Sequence, residues 1–260
     1  MPSPSPRDSE RPPASHGRRA FLRTAAVVPV AAGLGLLTVG TAHAYNWTRT
    51  LRAGDSGADV TELQIRIAGW AADSPRKTYV AVDGQFGPGT EAALKRFQRA
   101  YGLTANGVAA SSTHSKLNAL EDSDGSTAHF NFSEFYSKDG SGFSGGKVGA
   151  STVKANVRRL MYKLEAVRKK VGNKPMTINS GFRSISHNSN VGGASNSQHL
   201  YGIAADFVSS GVSTRTFYVA CESSGFSGLE RYTVSWQHAD SRVEYPYGSQ
   251  SWWWESGVVT

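Results

Sequence analysis

Apolar residues at helical spacing mark out the first part of the chain beyond its N-terminal 44 residues. Between residues 58 and 120 they recur three or four positions apart, as on one face of an amphipathic helix. One such set is Val60, Leu63 and Ile67, and another is Ala93, Leu94, Phe97 and Tyr101. A turn-rich loop at 83–89 separates them, with Thr90 placed to cap the second helix, and a shorter repeat near 113–117 predicts a third helix. The pattern predicts a small three-helix domain over residues 45–120.

The second half of the chain changes pattern after one long helix. Residues 152–171 predict a helix with one apolar face, and Gly172 with Pro175 ends that helix. Short apolar segments then alternate with loops rich in Gly, Ser and Asn, at 176–179, 203–208 and 231–236. This order predicts an α+β domain over residues 130–260 with a small antiparallel sheet. The small polar residues at 121–129 predict a linker between the two domains.

The first 44 residues have the pattern of an export signal. Arg18 and Arg19 precede an apolar run rich in Ala, Gly and Val that ends in an A-x-A sequence at Ala44. Paired arginines with such a run predict a twin-arginine signal peptide over residues 1–44, cleaved after Ala44. A membrane anchor is the alternative, but the run is short and interrupted by glycine. We therefore expect a secreted protein without stable membrane insertion.

The net charge limits the classes of partner that this chain can bind, and the cysteine content limits its disulfides. The 28 basic and 20 acidic residues give a formal charge of +8, of which residues 1–44 carry +3, so the remaining chain keeps +5. A mildly basic exported protein suits an anionic surface such as a cell wall. The sequence has no dense stripe of Lys and Arg with interleaved aromatic residues, so it does not predict nucleic-acid binding. Cys221 is the single cysteine and lies in an apolar run, so an intrachain disulfide is excluded and we expect a buried residue.

Two histidines and a carboxylate give the C-terminal region its candidate chemistry. His199 and Asp206 are seven positions apart, and a loop that enters a strand through Gly202 can bring both to one point. His238 follows on a later predicted strand. A lone histidine is usually a surface or core residue, but three nitrogen and oxygen donors together suit a zinc ion that keeps a position open for water. The pattern predicts a hydrolytic Zn²⁺ site.

The residues around these donors resemble a known family. Residues 197–206 read SQHLYGIAAD, residues 236–240 read WQHAD, and residues 180–184 read SGFRS. These motifs resemble those of the zinc D-Ala-D-Ala carboxypeptidase and D,D-peptidase family over residues 127–245. The resemblance implies a metallopeptidase with His199, Asp206 and His238 as zinc ligands.

The three-helix domain also resembles a known module. Residues 83–98 fit the pattern DGxFGxxTxxAxxxFQ of the small peptidoglycan-binding module. The matched residues are turn and core positions, so binding to peptidoglycan is implied by the resemblance alone. A module of this kind would hold the enzyme on the wall without taking part in the chemistry.

Arg183 is the candidate for substrate binding, because its guanidinium can hold a carboxylate or stabilise an oxyanion. A structural ion pair is the alternative for this residue. Relatives often place an acid or a histidine three residues before the last ligand, where this chain has Ser235. We predict Asp240 as the general base, because residue +2 on a strand shares the face of His238. Glu230 and His187 remain open as alternatives.

Together these features predict a monomeric, exported, zinc-dependent peptidase that hydrolyses D-Ala-D-Ala-type bonds of peptidoglycan stem peptides. The alternative is a wall-binding protein with a degenerate peptidase domain, and Ser235 motivates it. The sequence leaves carboxypeptidase and endopeptidase activity open. For Trp252–Trp254 we predict closure of the core rather than stacking on a sugar, since adjacent strand residues point to opposite faces.

Overall fold

The computed structural model describes residues 44–232 and 235–257, so the predicted signal peptide lies outside them except for Ala44. The first described part contains three helices, α1 (Ala58–Arg66), α2 (Pro88–Ala100) and α3 (Ser111–Asn118). They enclose a core whose buried side chains come from the apolar positions of the sequence pattern: Val60, Leu63, Ile67, Leu94, Phe97 and Leu117.

A buried glutamine of α1, Gln64, fixes the turn before α2. Its side-chain oxygen accepts hydrogen bonds from the backbone N–H groups of Asp83 (3.0 Å) and Gly84 (2.8 Å). Its amide nitrogen donates to Gln85 O and to Thr90 Oγ1, both at 3.0 Å. Thr90 therefore lies inside α2 as a partner of Gln64, whereas the sequence predicts it as the helix cap.

Gln98, the last residue of the module motif, repeats this arrangement one helix later. Its side-chain oxygen accepts from Gly107 N (2.9 Å), and its amide nitrogen donates to Val108 O (3.0 Å) and Thr113 Oγ1 (3.1 Å). The polar residues of the motif thus hold turns to helices. Satisfying a buried amide in this way avoids a cost of roughly 1–3 kcal/mol per unpaired group.

The long helix α4 (Ala150–Lys170) lies between two hydrophobic cores, close to the predicted range 152–171. Val157, Leu160 and Leu164 pack in the C-terminal core. Tyr162 and Ala166 pack in the core of the N-terminal helices. The surface where residues 45–120 pack on α4 is called the seam below.

The seam brings two backbones into close contact. A Cβ atom built on Gly69 would lie 2.5 Å from Cβ of Ala166 and 2.9 Å from backbone atoms of Lys163. Only glycine fits at such a distance. Arg159 of α4 crosses the seam and donates to Val80 O at 3.0 Å.

Buried charges also cross the seam. The guanidinium of Arg66 is fully buried and pairs with Glu62 (2.5 Å) and Glu121 (2.6 Å). Arg158 of α4 pairs with the same two carboxylates, at 2.5 Å and 3.0 Å. Glu121 opens the segment 121–129 that the sequence predicts as a linker, and this residue is packed into the ion network rather than free in solvent.

The C-terminal region contains a five-stranded sheet of order β1-β2-β4-β3-β5. Its strands are β1 (Thr177–Ser180), β2 (Ala204–Val208), β3 (Gly228–Leu229), β4 (Gln237–Asp240) and β5 (Trp253–Trp254). Helices α5 (Ile185–Asn190) and α6 (Thr214–Glu222) complete this region. Within the described residues, six α-helices and this sheet confirm the α+β class.

The sheet differs from the prediction in two places. The predicted strand at 231–236 is absent from the described part of that range, and the strands lie on either side of it, at 228–229 and 237–240. Strand β5 pairs parallel with β3, whereas the other three pairings are antiparallel. A parallel pair requires a crossover, which β4 and residues 241–252 supply. No helix among the described residues is long and apolar enough to cross a membrane.

Candidate metal centre

His199 lies on a 3₁₀ turn at Gln198–Tyr201, directly before β2. Gly202 follows with a φ of +73°, a left-handed conformation that turns the chain into the strand and favours glycine. The ring nitrogen Nδ1 of His199 lies 2.6 Å from Gly181 O, so it is the N–H that donates. The other nitrogen, Nε2, is then the acceptor and faces Asp206.

Asp206 and His238 lie opposite each other on neighbouring strands. Antiparallel pairing of β2 with β4 sets Asp206 against His238 in register. Oδ1 of Asp206 lies 2.8 Å from Nδ1 of His238 and 3.3 Å from Nε2 of His199. This geometry agrees with the sequence prediction that a loop entering a strand brings His199 and Asp206 together.

The donor atoms of these three residues form a set that a metal ion fits. One ligand atom from each of His199, Asp206 and His238 lies within 4.8 Å of the other two. Among the described residues this is the one group of three or more His, Cys, Asp or Glu side chains that meets this condition. Two imidazoles and a carboxylate are donors that zinc takes in open, three-ligand sites.

Asp240 orients the second histidine. Its Oδ2 lies 3.1 Å from Nε2 of His238, so that Nδ1 of the ring points to Asp206. Asp240 is fully buried, and Arg242 donates to it from Nε (2.9 Å) and Nη2 (2.6 Å). Both carboxylate oxygens are therefore engaged away from solvent. A carboxylate behind a ligating histidine fixes its tautomer and ring orientation.

Arg183 closes the other side of the centre. Its Nη2 donates to Oδ2 of Asp206 at 2.7 Å, and its Nε donates to Ser180 Oγ at 2.8 Å. The guanidinium lines the cleft together with the three donors. The structure is compatible with both roles predicted for Arg183, a structural ion pair and substrate binding. Arg183 forms an ion pair and also faces the space above the donors.

The pKa values follow from this dense arrangement. Burial lowers the pKa of His199. Burial would also lower the pKa of His238, but the hydrogen bonds to Asp206 and Asp240 outweigh it and raise that pKa to about 9. The pKa of Asp206 is well below its usual range, since the two histidines outweigh its burial. Metal binding to such a set releases a proton, because a ligating nitrogen must be neutral.

The two remaining candidates for the general base, Glu230 and His187, are placed differently from each other. Glu230 lines the cleft, and burial raises the pKa of its carboxyl. Ser235 is exposed, and His187 lies on α5 outside the cleft lining. Ser197 lines the cleft next to His199.

The cleft has a volume of about 570 Å³ and an aromatic wall from Trp236 and Trp253. The Trp253 ring lies 6.4 Å from the His238 ring and 4.9 Å from the guanidinium of Arg242. Trp254 instead packs on the core and donates from Nε1 to Phe226 O at 3.1 Å. The sequence analysis quoted Trp236 in a motif without placing it in the cleft, and it missed Arg242, although an arginine two residues after Asp240 is a pairing that the sequence could have suggested.

Each of the two regions matches a known family. Residues 128–240 match the family Peptidase M15, and residues 56–117 match the family Putative peptidoglycan binding domain. A curated relative, the zinc D-Ala-D-Ala carboxypeptidase of Streptomyces albus G, is 50% identical over 162 residues, which are 62% of this chain and 62% of that protein. The chain therefore spans less than two thirds of this relative's length.

Two solved structures are similar over about a quarter of this chain. A peptidoglycan-binding protein from Clostridioides difficile in complex with glutamine hydroxamate is 33% identical and covers 28% of this chain and 42% of its own, with a TM-score of 0.24. The SleB N-terminal domain is 38% identical and covers 26% of this chain and 88% of its own, with a TM-score of 0.23.

Proposed function

We propose that this chain is a zinc-dependent peptidase acting on peptidoglycan stem peptides. Its residues 128–240 match the family Peptidase M15, and its residues 56–117 match a peptidoglycan-binding domain. The observation that carries the proposal is the convergence of His199, Asp206 and His238 within 4.8 Å, beside Arg183 in an open cleft. The name of the 50% identical relative supports zinc as the metal and a D-Ala-D-Ala bond as the target.

His199 Nε2, Asp206 Oδ1 and His238 Nδ1 would hold the ion, because Gly181 O and Asp240 engage the other ring nitrogens. Zinc in such a site supplies a Lewis acid and activates water near neutral pH. The chain's own contribution is to fix two rings and one carboxylate in place before the metal binds. Fixed ligands are what a site with three protein donors requires.

Arg183 would bind the negative charge of the substrate. Its pairing with Asp206 holds the plane of the guanidinium, and the face toward the cleft can meet a terminal carboxylate or a developing oxyanion. Binding of a free terminal carboxylate by Arg183 would favour hydrolysis of the last bond of the peptide, which is carboxypeptidase action. The name of the relative agrees with this activity.

For proton transfer we propose Glu230 in preference to Asp240. Asp240 is fully buried and both its oxygens are engaged by Arg242 and His238, which supports a positioning role. Glu230 faces the cleft, where its carboxylate can accept a proton, and burial raises the pKa of that carboxyl above its usual value.

We further propose that the protein works outside the cell, bound to the wall through residues 45–120, as a monomer without a nucleic-acid partner. The net charge, the export signal predicted at 1–44 and the peptidoglycan-binding domain support this location. Residues 45–120, 121–129 and 130–260 are the proposed divisions of the chain beyond the signal.

The direct test measures zinc content and hydrolysis on one preparation of the chain from residue 45 onward. We expect one zinc per chain and release of D-Ala from an N-acylated peptide ending in D-Ala-D-Ala, lost with a chelator and restored by zinc. Intact peptide under zinc-replete conditions would support the alternative, a wall-binding protein without turnover. Digestion of purified sacculi then separates terminal trimming from cleavage of cross-links.

A further inference from the structure

A second cavity, larger than the metal cleft, lies where the seam meets α6. Its volume is about 700 Å³, against about 570 Å³ for the cleft. Residues of the N-terminal region form one wall, and α6 with the end of α4 forms the other. No residue lines both cavities. The larger cavity is called the seam pocket below.

Four cations and one carboxylate line the seam pocket. The cations are Arg96, Arg99, Lys170 and Arg215, and the carboxylate is Asp73. Asp73 bridges Arg96 Nε (2.9 Å) and Arg99 Nη2 (2.8 Å), which shows that the pair accepts a carboxylate at this wall. The pocket keeps a surplus of positive charge after this pairing.

The individual cations differ in freedom. Arg96 is fixed, because it also donates to Ala71 O at 3.1 Å. Arg99 and Arg215 are exposed and can follow a ligand. Lys170 is held by neutral oxygens, Ser223 O (2.9 Å), Ser223 Oγ (3.0 Å) and Ser224 Oγ (3.0 Å). An amine surrounded by uncharged acceptors gains an opposite charge when an anion enters the pocket, and that anion favours the ammonium form of Lys170.

Apolar groups complete the lining. Trp70, Val171, Val219 and Ala220 lie between the cations. A pocket of this kind suits a ligand that carries small apolar groups beside its negative charges. Polyphosphate and nucleic-acid chains instead bind along extended basic grooves with stacking platforms or phosphate contacts in series.

We infer that the seam pocket binds a carboxylate-bearing peptide of the alanine-rich type found in peptidoglycan stems, apart from the peptide in the metal cleft. This inference rests on the proposed function for the identity of the peptide. The two rows of lining residues come from the wall-binding region and from the peptidase region, so a peptide bound there contacts both.

The test counts bound peptides per chain by calorimetry in the presence of a chelator, which prevents turnover. The probe is N-acetyl-L-Ala-γ-D-Glu-Nε-acetyl-L-Lys-D-Ala, and the control probe has both carboxylates amidated. We expect two sites on the unmodified chain. Arg99→Gln combined with Arg215→Gln should remove one of them, with a loss of at least about tenfold in affinity, since each exchange removes a charge-assisted hydrogen bond. Arg183→Ala should remove the other.

Lys154→Gln is the matched control, because Lys154 is an exposed cation on the same helix as Lys170, sixteen residues away. It should keep both sites. Arg215→Gln alone, which removes a cation–π contact with the Tyr232 ring at 5.0 Å, guards against a folding defect of the double variant. A single site removed by Arg183→Ala alone would overturn the inference, as would equal binding of the amidated probe or binding of oligoglycerol phosphate in place of the peptide.

The hydrolysis assay on zinc-loaded protein keeps the two proposals apart. Loss of the pocket site with normal release of D-Ala refutes nothing about the metal centre. Binding in the pocket without any hydrolysis by the unmodified chain would refute the proposed activity and leave the pocket as an acidic-peptide site.

Discussion

The metal centre and the seam both bury charged groups, but they arrange them in opposite ways. In the seam, Arg66 and Arg158 each meet Glu62 and Glu121, so every charge faces its opposite. In the metal centre, His199, Asp206 and His238 direct ligand atoms toward one another. Acceptors that face each other are costly unless they share a proton or a cation. Burial alone therefore does not identify a ligand site, whereas the convergence of donors does.

The largest effect should come from removing one donor. His199→Ala takes away one of three protein ligands, so we expect hydrolysis to be abolished and zinc per chain to fall. Metal analysis and turnover are measured on the same preparation, with circular dichroism to check the fold. Full zinc content with full activity in this variant would mean that His199 is not a metal ligand.

The seam should respond through stability instead. Glu121→Ala leaves Arg66 and Arg158 with one carboxylate fewer, and removing one partner of a buried ion pair typically costs about 3–5 kcal/mol in the free energy of unfolding. Urea denaturation measures this loss, and zinc per chain should stay unchanged. Asp122→Ala, at the exposed neighbouring residue, is the control. Equal losses in the two variants would contradict a buried network.

Arg183→Ala tests a charge that belongs to the metal centre without being a donor. We expect turnover to fall by about 100-fold or more while zinc is retained, as for loss of an oxyanion-stabilising group. Arg183→Lys should restore little, because an ammonium cannot keep both hydrogen bonds of the fork. Zinc loss in step with activity would assign Arg183 to holding Asp206 rather than substrate.

The two carboxylates next to the centre can be separated from each other. Glu230→Gln should keep zinc and lower turnover by about 100-fold, as expected for loss of a general base. Asp240→Asn should weaken zinc affinity by roughly 10–100-fold, as expected for a group that orients a ligand. The reverse outcome would return the role of base to Asp240.

Lys170 should give the smallest effect, visible in the pH dependence of stability. Its pKa is lowered to about 7, mainly by burial, which the charge of Arg96 reinforces and Cys221 and Asp73 oppose. Between about pH 7 and the ordinary lysine pKa, the unfolded chain holds a proton that the folded chain lacks. The free energy of unfolding should therefore rise with pH there, by at most about 1.4 kcal/mol per pH unit from this group.

Lys170→Met should flatten that rise. Denaturant midpoints at several pH values between 7 and 10 compare the variant with the unmodified chain. Parallel curves for the two proteins would show that Lys170 keeps its proton in the fold.

The sequence predicted the parts of the molecule that depend on neighbours along the chain. The range of α4 and the turn at Gly202 follow from periodicity and local conformation, and the proposal of a zinc enzyme follows from motifs. The sheet class was predicted, but the strand at 231–236 was not found there, because an apolar run can end a strand, begin one or connect two.

Contacts between distant residues that belong to no motif could not be predicted from the sequence. Arg66 and Glu121 are 55 positions apart, and no local pattern relates them. The alternation argument for Trp252–Trp254 was useful in part, since Trp254 packs on the core as predicted, while Trp253 faces the cleft. Which face meets the cleft depends on the parallel pairing of β5 with β3, and that pairing needs the whole sheet.

The glycine contact in the seam has a consequence for how the wall would be cut. A module on a flexible linker explores a sphere, and its effective concentration falls smoothly with distance. A module whose Gly69 backbone lies against Ala166 has no such freedom. It would present its bound polymer to the cleft at one distance and one angle. Bonds beyond that reach would not be hydrolysed, however tightly the module binds the wall. The spacing of the hydrolysed bonds would therefore reflect the dimensions of the fold.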